Sequence, residues 1–295
     1  MESSGGTTTY SAQTFTAGTA PVSGYESKNF MRLVTASQSA VGDYAGISQP
    51  IEDVRTFAGQ TVTFSVWAKA SSGTPNIGFN VEQAFGTGGS ATVPTSAAVQ
   101  AITTSWARYS FTINVPSIAG KTIGTGAPQL NTRVFTSAGT SISALGYPAV
   151  GIQNVTIDLW GWQLEAGSTA SPFQTATGTI QGELAACQRY YYRVQATNDY
   201  GTFGVASCIS TTSGRAAIFL PVAMRVIPTS VDSSTLAIGI PGSSAVAITS
   251  VTLSTSTTLT PSIAFTFATN FSANQIVMLT ANNSTSAYVG FSAEL

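Results

Sequence analysis

Trp67 and Lys69 stand two residues apart in the run Gln60 to Ala70 (QTVTFSVWAKA), on the side opposite Val62, Phe64 and Val66. An aromatic plane beside a hydrogen-bonding cation can grip a sugar, because pyranose C–H faces stack on rings while the hydroxyls need polar partners. The alternative for Trp67 is a ring packed beneath a loop. In Val155 to Leu164 (VTIDLWGWQL), strict alternation puts Trp160 and Trp162 on one face, spaced as a two-residue aromatic ledge for a saccharide. The same ledge would suit a subunit interface or a core. Asp158 lies among apolar neighbours in that run, where an unpaired carboxylate would cost on the order of several kcal/mol. It needs a partner, and Arg108 or Arg133 could form the ion pair.

Catalytic chemistry finds little material. The chain has no His, which removes the commonest general base, the commonest metal ligand and the usual partner of a nucleophilic Ser. Among the 12 acidic residues none sits in a recognisable glycosidase setting. Cys187 lies near Arg189, but no thiol-enzyme motif surrounds it, and no phosphate loop, dinucleotide fingerprint or zinc spacing occurs. Glu52, Asp53 and Arg55 read as a solvated turn. The expectation is a protein that is not an enzyme and has no cofactor.

Eleven Lys and Arg against 12 Asp and Glu give a formal charge of −1, and only 8 % of the 295 residues are charged. Typical soluble domains carry roughly 25 %. There is no basic field for a phosphate backbone and no polybasic patch for an anionic membrane, so neither nucleic acid nor a lipid surface is the expected partner. A 43 % apolar content under so little charge suggests that copies of the chain cover part of its surface. Met1 to Gly6 has neither the basic start nor the apolar stretch of a secretory signal, and no run approaches the length of a membrane helix. Cys187 and Cys208 are open to two readings, a disulfide across a hairpin or small core residues.

The elements that would position these residues follow a period of two. Gln60 to Ala70, Trp106 to Val115 and Val155 to Leu164 are the clearest strands, with weaker ones at Phe30 to Thr35, Tyr44 to Ile51, Ile77 to Gln83 and Ala149 to Ile152. Gly167 to Gly182 is small, polar and nearly uncharged, a connecting stretch. Beyond it Glu183 to Val194 (ELAACQRYYYRV) opens with a possible helical turn and runs into three tyrosines of high strand preference. Strands then resume at Gly204 to Ile209, Arg215 to Leu220, Thr235 to Ile240, Val246 to Leu253, Ser262 to Thr269, Gln275 to Thr280 and Ser286 to Ala293. The reading is all-β: an N-terminal jelly-roll β-sandwich followed by a C-terminal β-sandwich domain.

Three segments, Phe57 to Ala70, Trp106 to Pro116 and Ile157 to Phe173, together resemble the carbohydrate-binding jelly rolls of glycosidase accessory modules and of bacteriophage fibre proteins. The stretch Glu183-Leu-Ala-Ala-Cys-Gln-Arg-Tyr-Tyr191, following a Gly-Ser-Thr-Ala-Ser-Pro-Phe segment, looks like a junction in phage tail-fibre and other virion appendage proteins. Leu220 to Thr229 and the closing Ala293-Glu-Leu295 are similar to that group as well. The resemblance implies a phage virion fibre protein, usually homotrimeric, that contacts other virion proteins; together with the candidate contacts Trp67, Lys69, Trp160 and Trp162, the expectation is an adhesin that binds a host cell-surface glycan. Its alternative is a purely structural virion component. It divides the chain into an N-terminal attachment segment (1–25), the jelly roll (26–175), a connector (176–185) and a C-terminal domain for trimerisation or receptor binding (186–295). In such modules an acidic residue on the last strand often joins a structural calcium, which here would be Asp158; the ion pair is preferred.

Overall fold

A computed structural model describes residues 2–240, 245–268 and 271–294. The chain forms two compact units, Met1–Gln174 and Thr175–Leu295. Strands of the first are β1 (Glu2–Ser4), β2 (Thr7–Thr14), β3 (Asn29–Ala36), β4 (Tyr44–Glu52), β5 (Thr61–Ala70), β6 (Asn76–Ala84), β7 (Val93–Ser96), β8 (Gln100–Ala101), β9 (Ala107–Asn114), β10 (Gln129–Ala138) and β11 (Val155–Ala166), with one turn of helix, α1 (Thr140–Ser143), after β10. They make two antiparallel sheets: β1-β4-β10-β6-β7, with β8 also paired to β6, and β2-β3-β11-β5-β9.

Alternation in β5 shows why the sheets face each other. Val62, Phe64, Val66, Ala68 and Ala70 are all buried on the inner side, and Thr61, Thr63, Ser65, Trp67 and Lys69 occupy the outer side. Phe64 stacks on Phe79 of the opposite sheet at 4.0 Å and 8°. Leu130, Val134, Ile157 and Leu159 complete this core, and full burial of each such side chain is worth about 1.5–3 kcal/mol. The all-β reading and the N-terminal sandwich are borne out.

Three differences from the sequence reading matter for the site. The segment 1–25 is not separate from the sandwich, because β2 pairs along the whole of β3 and Phe15 is buried beside Phe30 and Trp160. Gly167 to Gln174 belongs to the sandwich: Arg108 Nη1 donates to the Ser171 carbonyl at 2.6 Å, and Ser171 N donates to Glu165 at 2.9 Å. Ala149 to Ile152 is no strand and touches β10 through a single bridge, Ala138 to Gly151.

The second unit begins with α2 (Ile180–Gln188), capped by Thr179, whose hydroxyl accepts from Gly182 N at 3.1 Å. Then come β12 (Tyr191–Gln195), β13 (Thr202–Cys208), β14 (Ser213–Ala217), β15 (Ser230–Ser234), β16 (Leu236–Gly239), β17 (Val246–Leu253), β18 (Ser262–Phe267), β19 (Ile276–Ala281) and β20 (Tyr288–Ser292). Six of them close a barrel, β13-β14-β18-β17-β16-β19, and β12-β20-β15 form a separate sheet. Both contribute to one core around Ile238, Ile263, Phe265, Leu279 and Phe291. The two cysteines are free, Cys208 buried in this core and Cys187 exposed on α2. Thr269 and Leu295, which the sequence reading includes, lie outside the described residues.

Candidate functional site

The outer face of the β2-β3-β11-β5-β9 sheet gathers some of the residues singled out in the sequence. Asp158 is buried and finds its cations in Arg32 and Lys69, with Arg32 Nε at 2.7 Å and Nη2 at 2.9 Å from its two oxygens and Lys69 Nζ at 3.6 Å. The expected partners are elsewhere: Arg108 bonds Ser65 and Ser171, and Arg133 bonds Glu82 on the other sheet. Register decides this, since Arg32, Asp158 and Lys69 are direct neighbours across β3, β11 and β5. Both oxygens of Asp158 are held by Arg32, the ion pair preferred over calcium in the sequence reading, and among the described residues no group of three or more His, Cys, Asp or Glu is suited to a metal.

Trp67 and Trp160 are cross-strand neighbours on this face. They form an inner layer of it: Trp160 packs against Phe173 at 4.8 Å and near Phe15 at 6.3 Å, and the Trp67 indole nitrogen is buried without an acceptor. Lys69 sits 5.2 Å from the Trp106 ring and 5.7 Å from that of Phe30, so these ring contacts, like its pairing with Asp158, are internal. Trp162 is on the opposite side of the sheet, its ring 4.6 Å from Phe64 in the core. The ledge of Trp160 and Trp162 is therefore not formed. A β-bulge between Trp160 and Gln163, with Gly161 at φ +66°, inserts one residue and moves Trp162 to the inner face.

An open groove lies instead on the outer face of the other sheet. Along β10 the inward residues are Leu130, Thr132, Val134 and Thr136, which leaves Asn131, Arg133 and Phe135 pointing away from the core. Across from them are Glu82 (opposite Asn131) and Gly78 (opposite Phe135) on β6. A methyl group on Gly78 would come within 2.3 Å of Pro148 Cβ, so glycine is what lets the Tyr147–Pro148 segment lie down on the sheet. Two tethered loops raise the walls. Asp43 accepts from Ser39 N at 2.8 Å and Ala40 N at 2.9 Å, and its carbonyl and that of Val41 accept from Gly139 N and Ser141 N beside α1. The backbone donors of Ala40 and Ser39 hold the Asp43 carboxyl below its usual range.

Between these walls is a cavity of about 470 Å³ lined by Tyr44, Arg133, Phe135, Ile142, Leu145 and Tyr147. Two lining residues, Arg133 and Tyr147, both meet Glu82, which is 5 % exposed. Arg133 Nη1 lies 2.5 Å from Glu82 Oε2, the Tyr147 hydroxyl donates to the same oxygen, and Asn131 Nδ2 donates to Oε1 at 3.1 Å. Burial pushes the Glu82 carboxyl up, but the Arg133 and Tyr147 hydrogen bonds, the Arg133 charge and the Asn131 amide outweigh it and hold the group below the usual glutamate range. The aromatic rings of the lining meet one another, with Tyr44 at 6.3 Å and Tyr147 at 5.6 Å from Phe135. The result is a concave surface with stacking faces and a charge-neutral, pre-oriented set of hydrogen-bonding groups. None of these residues was singled out as a site in the sequence. The signal available was Glu82 at a non-core position of the strand-like run Ile77 to Gln83 in a chain that has few charges.

No protein-family model and no curated protein matches the chain. Among solved structures it is similar to the CBM22-1–GH10 modules of Clostridium thermocellum xylanase 10B complexed with xylohexaose, at 12 % identity and TM-score 0.35, covering 57 % of this chain and 26 % of that one. It is also similar to the CBM22-1 xylan-binding domain of Paenibacillus barcinonensis Xyn10C, at 15 % identity and TM-score 0.34 over 57 % of this chain and 86 % of that one. The tandem CBM22-1–CBM22-2 domain of the same enzyme aligns over 100 % of this chain and 97 % of that one, at 11 % identity and TM-score 0.32. The structural neighbours of this all-β chain are thus carbohydrate-binding jelly-roll modules.

Proposed function

We propose that this protein is a non-catalytic glycan-binding protein whose first unit takes a saccharide in the groove between Tyr44 and Tyr147. The observation that carries the reading is the groove itself: aromatic faces beside the buried Glu82–Arg133 pair, whose charges cancel. Because the pair is neutral as a unit, the ligand is an uncharged or weakly charged glycan, bound with little dependence on salt. Calorimetric titration with a panel of neutral oligosaccharides tests this. Tyr44→Ala is expected to weaken binding about tenfold, the worth of one stacking ring, with the thermal midpoint little changed. No measurable binding by the wild-type chain to any neutral glycan would overturn the reading and favour the purely structural one.

The finer assignment, a phage virion fibre that displays this groove to a host surface, is supported by the Glu183 to Tyr191 junction and by the Leu220 to Thr229 and closing segments. Homotrimeric assembly belongs to the same reading and draws on α2. Ile180, Leu184 and Cys187 follow one another at four and three residues along one stripe of that helix, the spacing of a coiled-coil seam, and Ile180 is 84 % exposed. Three such sites on one particle would raise apparent affinity by avidity. In light scattering the chain is expected at a multiple of 30.3 kDa, with Leu184→Asp shifting it toward the single-chain mass. Mild oxidation should link copies through the exposed Cys187 and spare the buried Cys208. A monomer at micromolar concentration, with no Cys187 cross-link, removes the assembly from the proposal.

A further inference from the structure

The β12-β20-β15 sheet of the second unit presents its other face to solvent, and that face carries chemistry that the groove does not use. Tyr192, Val194, Val231, Val289 and Phe291 point into the core, so Tyr191, Arg193, Gln195, Asp232 and Tyr288 occupy the outer side. Register puts Arg193, Gly290 and Asp232 in one row across the three strands. We propose that this face is a second saccharide site, separate from the groove, which takes an uncharged pyranose through Asp232, Arg193 and Tyr191.

Each of the three is held in place before any ligand arrives. The Tyr191 hydroxyl donates to both oxygens of Asp232, at 3.1 and 3.3 Å. This bond crosses above Gly290, where a methyl group would lie 2.3 Å from Asp232 Oδ1 and 2.6 Å from the Tyr191 oxygen. A strand-interior glycine is otherwise costly, and here it makes room for the bridge. Burial and the Asp232 bond push the Tyr191 phenol up, so it remains a donor at neutral pH. Arg193 stacks with its guanidinium carbon 3.6 Å from the Tyr288 ring centroid, and its Nη2 donates to Gln195 at 2.9 Å. Gln195 is tied in turn to the Thr285 carbonyl at 3.2 Å. A guanidinium pinned on a ring keeps donors along its rim at little further entropy cost.

The chemistry selects the ligand class. Asp232 is exposed, and one hydroxyl donor engages both its oxygens, which leaves most of a carboxylate's acceptor capacity for vicinal hydroxyls. Arg193 supplies donors to the same sugar, and the Tyr191 ring, 36 % exposed, offers a C–H stacking face. One cation and one anion cancel, so neither acidic nor basic sugars gain from net charge.

Backbone amide NMR of the full chain during titration with glucose, galactose, mannose, xylose and N-acetylglucosamine tests the proposal and reads each site by itself. At least one of these sugars is expected to shift Tyr191, Arg193, Asp232 and Gly290 saturably in the millimolar range. Asp232→Ala should weaken that saturation by about tenfold or more, as expected for lost hydrogen bonds to a charged group, while shifts at Arg133 and Tyr147 persist. Asp232→Asn, which retains one acceptor oxygen, should fall between. Sugars that move only the groove amides overturn the second site and leave the groove standing. Sugars that move only the β12-β20-β15 face do the reverse, and no shift at either overturns both.

Discussion

Glu82→Ala is expected to destabilise the first unit by about 3 kcal/mol and to abolish saccharide binding in the groove. Removing one partner of a buried ion pair costs far more than the pair itself contributes, because the other charge stays desolvated. The side chains here are well covered, 12 % exposed for Arg133 and 7 % for Glu82. The loss also takes an acceptor from Tyr147 and from Asn131, so the ring that walls the groove and the strand beneath it both loosen. The pH dependence has a definite sign. Hydrogen bonds from Arg133 and Tyr147 keep the folded carboxyl below its unfolded value of about 4.3, against the opposing effect of burial. The stabilisation is therefore fully present above that value and disappears as pH falls through the lower folded value. Glu82→Gln keeps the shape but does not titrate, so its stability should fall less steeply than the wild type's over the acid range, the remaining slope coming from Asp43 and Glu165, whose carboxyls are also held low. Denaturant unfolding from neutral to acid pH measures both effects. A Glu82→Ala chain within about 0.5 kcal/mol of wild type and still binding sugar would refute the role of the pair.

The groove escaped the sequence because of where its polar residues are. In β5 every inward residue is apolar, so alternation announces the strand and even its faces. β10 has the same geometry with a different inward set: Leu130 and Val134 alternate with Thr132 and Thr136, and the outward set includes Phe135. The inward threonines are satisfied internally, Thr136 by the Thr35 hydroxyl at 2.8 Å and Thr132 by the Gln49 carbonyl at 3.0 Å. A hydroxyl paired in that way is tolerated in a core and erases the pattern that would have revealed the strand. With β10 unread, Arg133 had no assigned face, and its meeting with Glu82, 51 positions earlier in the chain, depended on register that no local signal carries. Asp158 shows the same limit. Its need for a cation follows from its neighbours in sequence, but the choice of Arg32 over Arg108 or Arg133 follows from strand order.

The tryptophans of β11 failed for a different reason, and the failure leads to an unusual expected result. Counting by twos puts Trp160 and Trp162 together only if every residue between Leu159 and Gln163 is a regular strand residue. Register says otherwise: Trp160 pairs with Trp67 and Gln163 with Ser65, three steps along β11 against two along β5. Gly161 is the surplus residue, at φ +66°, a conformation in which a β-branched residue is strongly disfavoured. A side chain there would also meet Trp67 Cδ1 at 3.0 Å and Phe173 Cε2 at 3.2 Å. Gly161→Val is therefore expected to cost about 3 kcal/mol, combining left-handed backbone strain with overpacking of the aromatic layer. Deleting Gly161 altogether should cost less. It removes the bulge, pairs Trp162 with Val66, and keeps Trp160 outward, Trp162 inward and Gln163 outward, so every buried contact keeps its side of the sheet. Equilibrium unfolding of the two variants decides the point. If the deletion is the more damaging, the bulge has a role beyond inserting one residue, such as bending β11 so that Phe173 can close over Trp160.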